Sequence, residues 1–227
     1  MLPIPLVLVL SLALALVCSA IPWLARPLTG WPLAIALVVG ITANLLGVVL
    51  VLPLYPWIDL VVLVVAWSGG LLLGRGVAPG FRPFLLLFLC LSVADVLLTG
   101  GLSLSSQHAA AGSSAASGST PLRFGDFLLL LPWGRFETNV VDVLLLTALA
   151  EHWRRRGAAY LIALLPGAVG YVLAVGFILV TGLGIVPGIP FFTAGYVLTE
   201  GVYRYLSRHR APPPATSAHS GTVEMDV

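Results

Sequence analysis

The chain of 227 residues contains no lysine, and all 11 of its basic residues are arginine. Charged residues of both signs make up only 9% of the sequence, whereas ordinary soluble domains carry about 25%. Hydrophobic residues make up 59%, and the mean hydropathy is +1.06. So few charges cannot cover the surface of a water-soluble domain, and the composition therefore predicts a membrane protein.

The scarcity of other residue types excludes several kinds of site. The formal net charge is only +2, and no basic run is longer than Arg154–Arg156, so we predict no nucleic acid partner. Cys18 and Cys90 both lie in apolar runs, which favours buried free thiols over a disulfide or a metal pair. The His, Cys and Glu residues lack the spacing of metal ligands, so we predict neither a metal nor another cofactor.

Seven apolar runs, separated by Pro, Gly and Arg, divide residues 1–210, and most have about the 20 residues that a spanning helix needs. They cover residues 3–24, 31–52, 57–74, 83–103, 137–153, 158–181 and 187–206. The first run has no basic residues before it and no good cleavage site, so we predict a retained helix. The predicted fold is all-α, a polytopic transmembrane helical bundle of about seven spans.

The arginines predict how this bundle is oriented. Nine of them fall at one set of helix ends, and Arg123 and Arg135 fall at the other. The positive-inside rule then places the C-terminus in the cytoplasm and the protein in the cytoplasmic (plasma) membrane as a multi-pass protein. The Ser/Ala/Gly-rich segment 103–121 is predicted to be a flexible exterior loop. Residues 211–227 are predicted to form a disordered cytoplasmic tail.

Polar residues gather at the predicted exterior ends of the spans. Asp95 lies in the outer half of the fourth span, Asp126 lies in the exterior segment that follows, and Asp142 lies early in the fifth span. Asn139 precedes Asp142 by three residues and would share its helix face. Carboxylates are costly in a bilayer and usually have a function there. Two that meet in one site can divide the acid and base roles of peptide hydrolysis.

The stretch 92–156 resembles the C-terminal half of signal peptidase II, the bacterial lipoprotein signal peptidase. Phe124-Gly125-Asp126-Phe127 is similar to the family's Gly-x-Val-x-Asp-Phe motif, Ser92-Val93-Ala94-Asp95 to its Ser/Gly-Asn-x-x-Asp-Arg motif, and Asn139-Val140-Val141-Asp142 to its Asn-x-x-Asp motif. The resemblance implies an intramembrane aspartyl endopeptidase with Asp126 and Asp142 as catalytic residues and Asn139 and Asp95 as substrate-binding residues. It implies membrane lipids and a membrane-embedded peptide or lipoprotein precursor as partners.

Two alternatives stay open on the sequence. Phe124–Phe127 also resembles the Gly-x-Gly-Asp motif of presenilin-type aspartyl proteases, in which Asp95 would be the partner of Asp126. In the other alternative the chain is a non-enzymatic polytopic membrane protein, such as a small transporter or an assembly subunit. Its carboxylates would then be interfacial residues at the starts of helices.

Two acidic residues at the opposite helix ends have a simpler interpretation. Glu151 and Arg155 are four residues apart, and so are Glu200 and Arg204. On a helix this spacing places the two side chains of each pair next to each other. We therefore predict a local ion pair at each of these two helix ends.

The arginine distribution makes topology testable. In a variant whose Cys18 and Cys90 are replaced by serine, Ser114→Cys should react with an impermeant maleimide on intact cells. Ser217→Cys should react only after permeabilisation, because the arginine-rich ends face the cytoplasm. Labelling of both sites from the same side would contradict the predicted topology.

Overall fold

The computed structural model describes residues 4–49, 57–112, 128–130, 137–181 and 187–209. Within these ranges it contains seven helices: α1 (Ile4–Leu24), α2 (Gly30–Val49), α3 (Trp57–Gly76), α4 (Phe81–Gly112), α5 (Val140–Arg155), α6 (Tyr160–Thr181) and α7 (Ile189–His209). Two strands of three residues, β1 (Leu128–Leu130) and β2 (Glu137–Asn139), form an antiparallel hairpin before α5. The predicted all-α class is confirmed, and each helix coincides with one predicted apolar run.

The largest difference from the sequence prediction lies at the end of α4. This helix continues to Gly112, so residues 103–112 are helical where a flexible loop was predicted. Alanine is the strongest helix former, and Ala109–Ala111 favour continuation of the helix in a segment whose serines and glycine suggested a loop. Residues 113–121 and the predicted tail 211–227 lie outside the described residues.

Helix α5 forms the centre of the packing. Every residue from Leu145 to Trp153 is buried, and α5 packs against α1, α3, α6 and α7. Aromatic side chains of α4 and α7, among them Phe84 and Tyr196, complete the main buried cluster. Large apolar side chains also lie on the outside of the bundle, for example Val180 with 87% of its surface exposed. The outer surface is therefore strongly apolar, as well as the core.

Two glycines allow α3 to lie directly against α5. A Cβ atom at Gly70 would collide with the carbonyl oxygen of Leu144, and one at Gly74 would come within 2.8 Å of the carbonyl oxygen of Ala148. The two glycines are four residues apart and share one face of α3, a spacing that lets helix backbones approach closely in membrane proteins. Only glycine fits at these two positions without moving a helix.

Arginines then link the ends of α5, α3 and α1. The Nη1 atom of Arg155 donates to the carbonyl oxygens of Gly74, Arg75 and Val77 at 2.7–2.9 Å. These carbonyl groups lie at the C-terminal end of α3, which ends at Gly76. Arg75 in turn donates to the carbonyl oxygens of Ala25 and Leu28 after α1. These bonds satisfy carbonyl groups that a helix terminus leaves without an internal partner.

One helix meets the length and hydropathy criterion for crossing a membrane by itself. Helix α6 has 22 residues and a mean hydropathy of 2.3 in its most apolar window. Shorter apolar segments lie at Leu8–Leu24, Gly30–Leu46 and Leu60–Gly76. Among the described residues, one helix is therefore long and apolar enough to cross a membrane, and three apolar segments are shorter than that.

The α3–α5 contact gives a stability prediction. Gly70→Leu should lower the free energy of unfolding by about 3 kcal/mol, because the new side chain must push α5 away from α3. Gly176→Leu is the matched control, since a Cβ at Gly176 would meet nothing within 4 Å. Chemical denaturation of the purified variants in mild detergent, monitored by tryptophan fluorescence, gives the free energy of unfolding of each variant. Equal losses of stability would contradict the role assigned to Gly70.

Candidate functional site

Asp95 contacts the first turn of α7. The backbone N–H of Ile189 donates a hydrogen bond to Asp95 Oδ2 at 3.0 Å. The residue before Ile189 is Gly188, which has no side chain with which to cap the helix. A carboxylate from α4 therefore accepts one of the N–H groups that a helix start leaves without an internal partner. Its negative charge also suits the positive end of the helix dipole.

Asp142 lies against the same helix start. It is in the first turn of α5 and is half-buried. A Cβ at Gly188 would sit only 3.1 Å from Asp142 Oδ1, so the lack of a side chain at Gly188 lets the carboxyl group approach. Asp95 is near enough to interact with Asp142 electrostatically, and among the described residues Asp142 forms no ion pair. Two carboxyl groups thus converge on the start of α7.

A pair of hydroxyl groups holds α4 in register with α7 just below these carboxyl groups. Ser92, one helical turn before Asp95, shares a hydrogen bond of 2.8 Å with Thr193, and both side chains are buried. Thr193 also lies 3.0 Å from the carbonyl oxygen of Ile189. Because the hydroxyl groups have each other as partners, they can be buried at little cost. The pair fixes Asp95 at the height of Ile189.

The hairpin leads directly into α5. Leu128 of β1 pairs with Asn139 of β2, and α5 begins at the next residue, Val140. Asn139 is therefore the last residue of a strand, and the prediction that it shares a helix face with Asp142 is wrong. Pairing with β1 keeps the polar residues 137–139 extended, although the fifth predicted span begins at residue 137. Asp126 lies outside the described residues.

The opposite end of the bundle contains two buried carboxylates, each held by two arginines. Glu151 accepts from Arg75 at 3.1 Å and from Arg154 at 2.7 Å. The predicted pair with Arg155 does not form, because Arg155 binds the carbonyl groups at the end of α3 instead. No local pattern could have identified Arg75, which lies 76 residues away.

Glu200 is the second buried carboxylate at this end. It pairs with Arg204 at 2.7 Å, as predicted, and also with Arg156. Burial works to lower the pKa of the Arg156 guanidinium, but hydrogen bonding and attraction to Glu200 outweigh burial and raise this pKa. Arg156 therefore keeps its charge, and a buried carboxylate that keeps two cationic partners is far less costly than an isolated one.

A buried histidine, His152, lies next to Glu151 at the arginine-rich end. His152 Nε2 shares a hydrogen bond of 2.9 Å with the Tyr196 hydroxyl group, and the His152 ring stacks on Phe84 at 4.1 Å. No spacing in the sequence indicates this contact, because the three residues lie on three different helices. Among the described residues there is no group of three His, Cys, Asp or Glu side chains that could hold a metal ion.

Compared with known proteins, the chain matches no family model, no curated protein and no solved structure. The resemblance of residues 92–156 to signal peptidase II therefore depends on the motifs alone. The site itself is defined by Asp95 and Asp142 at the start of α7.

The contact between Asp95 and Ile189 can be tested by mutation. Asp95→Ala should lower the free energy of unfolding by about 1 kcal/mol, the usual cost of losing a capping side chain. Asp95→Asn should cost less, because its amide oxygen can still accept the Ile189 N–H. Ser207→Ala is the control, since the exposed Ser207 hydroxyl group donates within its own helix to Tyr203. Equal stability of the Asp95→Ala variant and the unmodified protein in chemical denaturation would contradict the capping role.

Proposed function

We propose that the protein is a polytopic membrane protein with seven spanning helices. The strongly apolar outer surface supports this, since side chains such as Val9, Val38 and Leu161 are at least 60% exposed and would lie in lipid. Small and polar residues occur at the helix contacts instead, as at Gly70 and at the Ser92–Thr193 pair. Packing of this kind is typical of bundles whose helices associate within lipid.

The proposed orientation has the arginine-rich end in the cytoplasm. Arg75 joins the ends of α1 and α3, Arg155 joins the ends of α3 and α5, and Arg156 joins the end of α5 to the second half of α7. A common location for these arginines supports a cytoplasmic C-terminus under the positive-inside rule. Asp95, Asp142 and the hairpin would then lie at the exterior end.

The function that we propose is intramembrane aspartyl endopeptidase activity, with Asp126 and Asp142 as the catalytic pair. The observation that supports it most is Asp142 itself, a half-buried carboxyl group beside a second carboxylate and without an ion pair among the described residues. Glu151 and Glu200, by contrast, are each neutralised by two arginines. An acid that a bilayer protein leaves without a counter-charge is a candidate for chemistry.

The register of the hairpin supports Asp126 as the partner. Leu128 pairs with Asn139, and paired residues have Cα atoms about 5 Å apart. Asp126 is two residues before Leu128 in the chain, a distance of at most about 7 Å. Covalent geometry therefore allows Asp126 to come within reach of Asn139, and the proposal is that Asp126 and Asp142 face a common substrate.

The proposed reaction needs only these two carboxyl groups and water. The ionised carboxylate takes a proton from a water molecule, whose oxygen attacks the carbonyl carbon of the scissile peptide bond. The protonated carboxyl group gives its proton to the leaving nitrogen as the C–N bond breaks. Two carboxyl groups that lie close together favour this division, since they do not both ionise easily. Asn139 and Asp95 would hold the substrate backbone.

A second candidate function is that of a non-enzymatic membrane protein. It is favoured by the contacts that already occupy both described carboxyl groups, since Asp95 accepts from Ile189 and Asp142 packs against Gly188. In this alternative their role is to fix the start of α7. The same Asp95 contact counts against the presenilin-type alternative, which requires Asp95 to be a catalytic partner of Asp126.

Activity separates these candidates. The purified protein should cleave a lipid-modified prolipoprotein in detergent or proteoliposomes, and should lose nearly all turnover in Asp126→Asn or Asp142→Asn. Combining the two changes should cost no more than either alone, because the two groups act as a unit. Gel analysis of the cleaved precursor measures the rate.

The controls for this experiment are two other aspartates. Asp226→Asn makes the same chemical change in the C-terminal segment 211–227 and should leave turnover intact. Asp95→Asn should keep part of the activity if the pair is Asp126 with Asp142, and none if Asp95 is catalytic. Absence of cleavage of every lipid-modified precursor tested, by a protein with an unchanged unfolding midpoint, would favour the non-enzymatic candidate.

A further inference from the structure

The arginine-rich end of the bundle carries more positive charge than its described carboxylates neutralise. Glu151 and Glu200 are both buried, and four arginines already hold them. Three other arginines at this end are exposed and form no ion pair with any described residue: Arg26, Arg82 and Arg208. Their charge is available to a partner from outside the chain.

Arg204 is held in place while remaining half exposed. Its Nε atom donates to Glu200 at 2.7 Å, and its guanidinium carbon lies 5.2 Å from the centre of the Phe81 ring. Its side chain is nevertheless 58% exposed, and its two terminal nitrogens have no hydrogen-bond acceptor among the described residues. The side chain thus presents donors in a fixed orientation, so little conformational entropy is lost on binding an acceptor.

Two further arginines lie beside Arg204. Arg82 directly follows Phe81 at the start of α4, and Arg208 is one helical turn beyond Arg204 near the end of α7. The start of α4 packs along α7, because the Phe81 ring contacts both Tyr196 at 5.4 Å and the guanidinium group of Arg204 at 5.2 Å. We call the surface formed by Phe81, Arg82, Arg204 and Arg208 the Phe81 patch. It combines three guanidinium groups with an apolar ring.

We propose that the Phe81 patch binds the anionic headgroup of a membrane phospholipid. Forked N–H donors match phosphate oxygens, and the apolar ring beneath them suits the first carbons of the lipid. A negatively charged inner leaflet also complements the surplus charge at this end. An exposed tryptophan at the same end, Trp31 at the start of α2, fits the level of the headgroups. The proposal rests on membrane insertion as proposed above, and it does not require peptidase activity.

The test measures lipid affinity in the full-length protein. Purified protein in a neutral detergent is titrated with phosphatidylglycerol or with phosphatidylcholine, and native mass spectrometry gives the apparent Kd for each lipid. We expect phosphatidylglycerol to bind at least tenfold more tightly. The double variant Arg82→Gln/Arg208→Gln should lose about 30-fold in this affinity, at about fivefold per arginine, with phosphatidylcholine unchanged.

The control is Arg26→Gln, which removes one arginine charge from the same end and is compared with Arg82→Gln and Arg208→Gln singly. Arg26 lies between α1 and α2, and neither of these helices packs against α4 or α7 to any appreciable extent. The phosphatidylglycerol affinity of the Arg26→Gln variant should stay within about twofold of that of the unmodified protein, since Arg26 is outside the Phe81 patch. Arg82→Lys/Arg208→Lys should recover part of the affinity, because the charge remains while the forked donors are lost.

Several results would overturn the proposal. Equal affinities for the two lipids, or an equal loss in Arg26→Gln, would leave only a general attraction to negative charge. Displacement of the lipid by equimolar inorganic phosphate would identify a soluble anion as the ligand instead. An unchanged affinity in the double variant would remove the patch from consideration. The unfolding midpoint without added lipid must match that of the unmodified protein, and the lysine variant serves as the test if the glutamine variant misfolds.

Discussion

The close contact between α3 and α5 is the constraint on which the rest of the described structure depends. Because Gly70 and Gly74 have no Cβ, the backbone of α3 can lie against Leu144 and Ala148. This approach brings the buried carboxylate of Glu151 within hydrogen-bond distance of Arg75. A bulkier residue at either glycine would separate Glu151 from one of its cations, and a buried carboxylate without such partners is severely destabilising.

That contact also fixes the ends of three helices. Arg75 reaches the carbonyl groups after α1 because α3 is held in register by α5. Arg155 reaches the end of α3 for the same reason. The carbonyl groups at these ends are satisfied by charged donors from a neighbouring helix, which are stronger than neutral ones. The arginines therefore contribute to the fold itself as well as to the orientation that we propose.

The two ends of α5 differ in how their carboxyl groups are neutralised, and this difference defines the candidate site. Glu151 lies nine residues after Asp142, about 14 Å along the helix. Glu151 has two arginine partners, whereas Asp142 lies beside Asp95 at the start of α7. Two arginines thus neutralise the charge of Glu151. Asp142 lacks such partners among the described residues.

The sequence by itself determined the class, the number and most of the limits of the described helices, because these depend on local composition. Apolar runs near 20 residues, broken at Pro, Gly and Arg, gave seven helices, and the spacing of Glu200 and Arg204 gave an ion pair that does form. The prediction from sequence was wrong at 103–112, where the local composition was ambiguous between loop and helix. It was also wrong at Asn139, where pairing with β1 overrode the preference for a helix.

Tertiary structure alone decided which distant side chains meet. Asp95 and Ile189 are 94 residues apart, and Glu151 and Arg75 are 76 residues apart, so no spacing rule relates them. The sequence placed Asp95 and Asp142 at one end of the bundle, but only packing brought both to Gly188, where the absence of a side chain leaves room for the Asp142 carboxyl group. Helix limits follow from neighbours along the chain, whereas a site depends on how helix faces rotate and approach, which is fixed by contacts between many residues at once.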